Sequence, residues 1–185
     1  MFGSFEGENA KGYERGAKLF SFILYRHAIR DLRNLGLKGK YLDAGCGPGI
    51  LTVKVSKLLG VEVLGVDISE DMINLAIRRA ERERVKAKFF VGDVENDYFG
   101  EFDVVFSTYS LHHWENPEGG LKNLWKMVKP GGYIYILDVR NCLFFKHGLT
   151  FEEFSVLFNK LKGAEFIEVR KRFPCISTGL AKKKI

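Results

Sequence analysis

The chain has 185 residues, of which 46% are hydrophobic and 28% charged, a composition typical of one globular domain. No apolar run reaches the roughly 18 to 20 residues that span a bilayer, so no membrane association is predicted. The first residues also lack the basic and then apolar order of a signal peptide. The three cysteines, Cys46, Cys142 and Cys175, have no metal-ligand spacing and leave one unpaired. They predict no metal site and a reduced, cytoplasmic protein.

The formal net charge of +6 is concentrated at the two ends of the chain. Residues 1–40 hold eight Lys and Arg against four acidic residues, residues 41–145 twelve against fifteen, and residues 146–185 nine against four. Basic ends fit an anionic substrate or RNA. They equally fit a solvated surface, because no basic run is interleaved with aromatic residues. The chain lacks glutamine and is rich in Lys and Glu, which is a weak indication of a thermophilic source.

Hydrophobic periodicity divides the chain into alternating helices and strands. Apolar residues at helical spacing predict a first helix from about Tyr13 to Leu35, ended by Gly36 and Gly39. The predicted strands then cover residues 41–43, 61–66, 87–91, 102–106, 133–139, 165–173 and 175–183, with helices at about 51–59, 69–84, 118–128 and 151–161. Pro174 separates the last two strands and predicts a hairpin. The pattern therefore predicts one α/β domain with a doubly wound, mainly parallel seven-stranded sheet, helices on both faces and an antiparallel C-terminal hairpin.

Polar features follow the first four predicted strands at the point where each strand ends. They are the turn from Gly45 to Gly49, then Asp67, Asp93 and Ser107. In open α/β sheets, ligands bind beyond the carboxyl ends of the strands. The recurrence predicts a ligand site at this edge of the sheet.

The turn has the pattern G-x-G-x-G, with Gly45, Gly47 and Gly49, and Ile50 stands where a dinucleotide fingerprint has its third glycine. Glycines allow close backbone approach to a ligand, and the helix that follows can receive a carboxylate or phosphate at its N-terminus. Asp67, 22 residues after Gly45, is placed to accept hydrogen bonds from a ribose diol. The alternatives are a tight turn without a ligand and a helix-capping carboxylate.

Five segments together resemble, in order and spacing, the motifs of class I S-adenosylmethionine-dependent methyltransferases. They are residues 42–49 (LDAGCGPG), 65–72 (GVDISEDM), 91–94 (VGDV), 102–105 with 111–114 (FDVV and LHHW) and 128–132 (VKPGG). The resemblance is to the branch that includes ubiquinone- and menaquinone-pathway and other small-molecule methyltransferases. It implies a Rossmann-like fold, S-adenosyl-L-methionine as cofactor and S-adenosyl-L-homocysteine as product.

The resemblance also implies roles by position. The residues implied for the cofactor are Asp43, Ala44, Gly45, Cys46, Gly47 and Gly49 at its methionine end, Asp67 at the ribose, Ile68, Met72, Asp93 and Val94 at the adenine, and Ser107 near the methionine part. For Asp93 the alternative is a turn aspartate. Residues 1–40 would form a helical lid, with Tyr13 closing over the site, residues 41–139 the cofactor-binding core, and residues 140–185 the C-terminal helix and hairpin.

The acceptor side of the site is predicted in outline. His112 and His113 follow the fourth strand, beside the expected methyl group, and one of them is our hypothesis for a general base. The alternative is that the two rings pack within their loop. Tyr109 and Trp114 are predicted to line the substrate pocket.

The predicted function is methyl transfer to an unidentified small molecule. RNA or protein acceptors remain alternatives because of the basic ends, and a homodimer partner is one way to complete an open pocket. A non-catalytic S-adenosylmethionine-binding protein is a further interpretation. The G-x-G-x-G spacing argues against a nicotinamide-dependent oxidoreductase.

Overall fold

The computed structural model describes residues 25–142, 146, 148–172 and 175–185. Residues 25–34 are helical and are called α1 here. The strands are β1 (Lys40–Ala44), β2 (Glu62–Asp67), β3 (Ala87–Val91), β4 (Phe102–Thr108), β5 (Val128–Val139), β6 (Ala164–Arg172) and β7 (Ile176–Lys183). The remaining helices are α2 (Ile50–Leu59), α3 (Glu70–Glu83), α4 (Pro117–Lys126) and α5 (Phe151–Asn159), with a 3₁₀ turn at Leu111–His113.

The seven strands form one sheet in the order β3-β2-β1-β4-β5-β7-β6. Strands β1 to β5 pair in parallel, and β7 pairs antiparallel with both β5 and β6. The predicted fold is confirmed. The chain moves outward from β1 to β3 and then restarts at β4 on the other side, so the switch in strand order lies between β1 and β4, where open α/β sheets bind ligands.

The central strands are buried on both faces, which explains their near-continuous apolar sequence. Leu42 and Val105 belong to the core that packs against α4 and α5, while Tyr41, Val104 and Phe106 belong to the core beneath α1 and α2. Alternating residues of one strand thus serve two cores. The carboxyl ends of β1 and β4 are held firmly side by side.

Local hydrogen bonds fix where the helices begin. Ser69 accepts a bond from the Met72 backbone N–H (3.4 Å) at the start of α3, as its sequence context predicts. Thr150 and Glu153 form a reciprocal capping box at α5. Gly49 precedes α2 with a left-handed φ of 70°.

Helix α1 is docked on the sheet through a polar cluster. The Asp31 carboxylate accepts hydrogen bonds from the Tyr135 hydroxyl (3.0 Å) and the Arg172 guanidinium (2.6 Å). Ala28 and Leu32 are fully buried beside it. These contacts tie α1 to β5 and β6. None of the described helices combines the length and apolar character needed to cross a membrane.

Two features differ from the sequence-based expectations. Strand β5 begins at Val128 rather than near Tyr133, because Val128 already pairs with Phe102 before a register shift in the ladder. Cys142 and Cys175 form a disulfide, so the expectation of reduced cysteines is wrong for this pair. The antiparallel β5–β7 ladder brings their Cα atoms to 6.2 Å. Cys46 is free and buried.

Candidate functional site

The loops after β1 and β2 are hydrogen-bonded to each other at the carboxyl edge of the sheet. The backbone N–H groups of Gly45 and Cys46 donate to the Val66 carbonyl (2.8 and 2.9 Å). The N–H of Gly47 donates to the Asp67 carboxylate (2.8 Å). The structure therefore joins the glycine-rich turn and the acid at the end of β2 into one unit.

The three glycines of the turn serve different purposes. All have left-handed φ values, 74° at Gly45, 51° at Gly47 and 70° at Gly49, which only glycine adopts without strain. A methyl group would collide with Ser110 at Gly45 and with Ala76 at Gly49, whereas nothing lies within 4 Å of the position at Gly47. Gly45 and Gly49 are required for packing. Gly47 presents an open backbone surface.

Asp43 leaves an acceptor atom unused at the end of β1. Its side chain is 1% exposed, one oxygen accepts a hydrogen bond from the Thr52 hydroxyl (2.6 Å), and the other has no partner in the described structure. Burial raises the pKa of Asp43 to about 7, opposed by the Thr52 hydrogen bond and reinforced by the charge of Asp67. The Ser107 hydroxyl, at the end of the adjacent β4, is likewise buried without a partner among the described residues.

Asp67 is the last residue of β2, and Ile68 follows it. The Asp67 carboxylate accepts a second hydrogen bond, from the Ser69 N–H (3.0 Å), and burial raises its pKa. The apolar side chain of Ile68 is 74% exposed, whereas Met72 on the following helix is buried. An exposed isoleucine beside a polar turn is suited to contact the flat face of a ligand.

Asp93 is engaged within its own turn. Its carboxylate accepts hydrogen bonds from the Glu95 N–H (2.9 Å) and the Asn96 side-chain amide (2.7 Å), and its own N–H donates to Asp97 (2.9 Å). These contacts favour the alternative interpretation, in which Asp93 stabilises its own turn. A role for Asp93 toward a ligand stays a prediction, while the neighbouring Val94 is buried in the core.

His112 is paired with a buried carboxylate at the end of β5. Its Nδ1 lies 2.6 Å from one oxygen of Asp138, and its backbone N–H donates to the other (3.0 Å). The side chain of His112 is 15% exposed and that of Asp138 only 2%. An ionised carboxylate can only accept, so this pairing places a proton on Nδ1 and leaves Nε2 free as a base.

His113 lacks such a partner in the described structure, and its ring lies 3.9 Å from that of His112. Burial and the adjacent His112 lower the pKa of His113. The structure thus places the two predicted histidines in contact, and of the two only His112 is hydrogen-bonded to a carboxylate among the described residues.

Tyr109 and Trp114 flank this pair. Tyr109 has a left-handed φ of 58°, a strained conformation for a residue with a side chain. Burial, Asp138 and Tyr25 all raise the pKa of its phenol. The Trp114 indole N–H donates to the Ser110 hydroxyl (2.9 Å), which in turn packs against the glycine-rich turn. Tyr13, the predicted lid residue, lies outside the described residues.

Sequence reasoning missed Asp138 and Ser110. Asp138 is the only charged residue in the otherwise apolar stretch 133–139, and it ends its strand as Asp43 and Asp67 do. That pattern was available as a signal. Ser110 had none, because its contact with Gly45 depends on how the loop after β4 folds back.

Comparisons with known proteins agree with this geometry. Residues 42–132 match a family described as a methyltransferase domain. The chain is 32% identical over 142 residues to phosphoethanolamine N-methyltransferase 1 of Triticum aestivum, an alignment that covers 76% of this chain and 28% of the relative. It is 32% identical over 122 residues to a ubiquinone biosynthesis O-methyltransferase of Coxiella burnetii, covering 61% and 52%.

A solved structure shares the fold. Phosphoethanolamine N-methyltransferase 2 of Haemonchus contortus, in complex with phosphomonomethylethanolamine and S-adenosylhomocysteine, superposes with a TM-score of 0.73 at 19% identity. The match covers 83% of this chain and 51% of that one. This chain spans about half the length, or less, of the curated relatives named above and of this solved structure.

Proposed function

The chain belongs to the class I S-adenosylmethionine-dependent methyltransferases, and from that premise we propose that it transfers a methyl group to a nucleophilic atom of a small molecule. The observation that carries the proposal is a group of polar atoms at the carboxyl ends of β1 and β2, beside the switch in strand order between β1 and β4. There the open Gly47 backbone, the Asp67 carboxylate and the unpartnered Asp43 oxygen face one edge of the sheet.

The residues present fit the cofactor. The free oxygen of Asp43 can accept from the ammonium of a methionine moiety, and Asp67 can accept from ribose hydroxyls while it holds the glycine-rich turn. Ile68 offers an exposed apolar surface for the adenine. The unpartnered Ser107 hydroxyl would lie beneath the methionine part.

When bound, S-adenosylmethionine supplies a methyl group already activated on a sulfonium, so the protein contributes mainly alignment and exclusion of water. An acceptor O–H or N–H must also lose its proton as the methyl group is transferred. We assign that proton to Nε2 of His112. Asp138 acts as a positioning residue that fixes the tautomer and orientation of the imidazole. Tyr109 and Trp114 would line the acceptor pocket.

A small-molecule acceptor is supported by the relatives, whose names specify ubiquinone biosynthesis and phosphoethanolamine. RNA or protein acceptors are carried as alternatives because of the basic ends of the chain, and a homodimer is carried as one way to complete an open pocket. We place the protein in the cytoplasm. A disulfide there is typical of hyperthermophiles, which agrees with the glutamine-free composition.

The test is methyl transfer from S-[methyl-³H]adenosylmethionine to panels of phenols, amines, carboxylates and phosphorylated amines, with unfractionated tRNA as a separate arm. We expect a labelled product from at least one small-molecule class. Labelling of tRNA alone would replace the small-molecule proposal. Cofactor binding without any transfer would favour the non-catalytic interpretation.

With an acceptor in hand, we expect His112→Gln to lower kcat by about 10²- to 10⁴-fold, because general-base catalysis contributes a factor of that size. Asp138→Asn should lower kcat with little change in KM, since it alters the tautomer of His112 rather than the binding surface. His113→Gln is the matched control and should retain most activity. An unchanged kcat and pH profile in His112→Gln would remove the base.

A further inference from the structure

Arg140 lies two residues beyond Asp138, just past the end of β5. In the β5–β7 ladder Asp138 pairs with Ser177 and Val139 with Ile176, and the Arg140 N–H donates to the Cys175 carbonyl (2.7 Å). This hydrogen bond extends the pairing by one residue beyond the last ladder pair. From the alternation of side chains along an extended chain, we place the Arg140 side chain on the same face of the sheet as Asp138, with the two Cα atoms about 7 Å apart.

The Arg140 guanidinium has no ion pair and no hydrogen bond with any described residue, and its Nε is enclosed. Arginines elsewhere in the same sheet are paired: Arg170 with Glu168, and Arg172 with Asp31. The hydroxyl of Ser177, which is 1% exposed and lies opposite Asp138, is also unpartnered within the described structure. Two donors near the end of the β5–β7 ladder thus lack an acceptor among the described residues.

Asp138 does not neutralise Arg140. Its two oxygens already accept from the His112 ring, the His112 N–H and the Val139 N–H (2.6 Å), and no ion pair joins it to Arg140. A partly enclosed cation without a counter-charge is costly to keep in a protein. A guanidinium presents a planar fork of donors that matches carboxylate and phosphate oxygens.

We infer that Arg140 binds an anionic group, a carboxylate or a phosphate, on the methyl acceptor. This inference rests on the proposed function, and it adds that the accepted molecules carry a negative charge that is bound on the face of the sheet where His112 pairs with Asp138. Ser177, opposite Asp138 in the ladder, is a second donor on the same two strands. Neutral analogues of the acceptor are then poor substrates because they leave the guanidinium unpaired.

The experiment measures binding of benzoate, phenyl phosphate and the neutral benzamide to the protein saturated with S-adenosylhomocysteine, by calorimetric titration. The variants are Arg140→Gln and Arg140→Lys, with Arg170→Gln as a matched loss of charge on the same sheet. We expect at least one anionic probe to bind the wild type about tenfold or more tighter than benzamide. That preference should vanish in Arg140→Gln, survive in part in Arg140→Lys and persist in Arg170→Gln.

Equal affinities for benzoate, phenyl phosphate and benzamide, or an anion preference that persists in Arg140→Gln, would overturn the inference, as would failure of both anionic probes to bind at millimolar concentration. A preference for phenyl phosphate over benzoate, or the reverse, identifies which anion the acceptor carries. The S-adenosylhomocysteine titration is the internal reference. If that ligand binds and the anion preference is absent, this inference fails while the proposed function stands.

Discussion

At the scale of single residues, the carboxyl edge concentrates polar groups whose surroundings work against their usual charge or pairing. Asp43 is buried, and one of its oxygens has no partner among the described residues. The Asp67 carboxylate accepts hydrogen bonds from two backbone N–H groups. Asp138 is buried and contacts the ring of His112. Short hydrogen bonds hold each of these carboxylates in place. Substituting any of them should therefore change the free energy of unfolding or the affinity for a ligand.

Asp43 makes stability depend on pH. Its pKa is about 7 in the folded protein against 3.8 for the unperturbed group, so the folded state keeps a proton that the unfolded state loses. The stability that neutral Asp43 contributes is complete below pH 4 and is lost as pH rises through about 7. We expect the free energy of unfolding of Asp43→Asn, relative to wild type, to increase by roughly 2–4 kcal/mol between pH 4 and 8.

Urea denaturation of the ligand-free proteins at several pH values measures this difference. Glu62→Gln, at the exposed opposite end of β2, is the control and should show no such trend. A difference between Asp43→Asn and wild type that stays constant with pH would mean that Asp43 is charged in the folded protein throughout this range.

Gly47 and Gly60 offer a matched pair of substitutions. Both have left-handed φ values, 51° and 66°, and neither has an atom within 4 Å of the position that a methyl group would take. Ala at either site should therefore cost about 1 kcal/mol of stability through backbone strain alone. Only Gly47→Ala should also weaken S-adenosylhomocysteine binding, because only Gly47 lies in the proposed cofactor turn. Equal affinities in the two variants would place the cofactor elsewhere.

At the scale of elements, the sequence indicates strands most clearly where burial is on both faces, as in β4, and helices where caps are present, as at Ser69. The turn before β5 was less predictable, since the pairing of Val128 with Phe102 is a long-range contact. The disulfide was not predictable either. Its two cysteines are 33 residues apart and meet only because β7 returns beside β5.

The disulfide should contribute measurably to stability. Closing a loop of 33 residues restricts the unfolded chain by roughly 3–4 kcal/mol in the chain-entropy description. We expect the Cys142→Ser, Cys175→Ser double variant to lose about that much, with a lower Tm. Wild type in a dithiol reductant should match it, and the reductant should not affect the variant. Equal stability of the oxidised wild type and the double variant would show that the crosslink does not constrain the chain.

At the scale of the whole molecule, the fold class and the position of the candidate site were predictable together, because the glycine-rich turn, Asp67 and Ser107 recur at strand ends that the fold brings to one edge. The pairing of His112 with Asp138 was not, since it joins residues 26 positions apart whose proximity depends on the β4–β5 ladder. The lack of a partner for Arg140 among the described residues could be recognised only in the structure. The sequence shows that a residue is charged but does not show whether an opposite charge lies beside it.

The carboxyl edge of the sheet is the proposed binding site for S-adenosylmethionine. The most direct measurement is calorimetric titration of the protein with S-adenosylmethionine, S-adenosylhomocysteine and NADH, alongside Asp67→Ala and the control Glu62→Ala at the other end of the same strand. We predict that both sulfur ligands bind the wild type and the control, that NADH does not, and that Asp67→Ala weakens binding by about tenfold or more. Failure of both sulfur ligands to bind the wild type, or binding of NADH in their place, would contradict the claim.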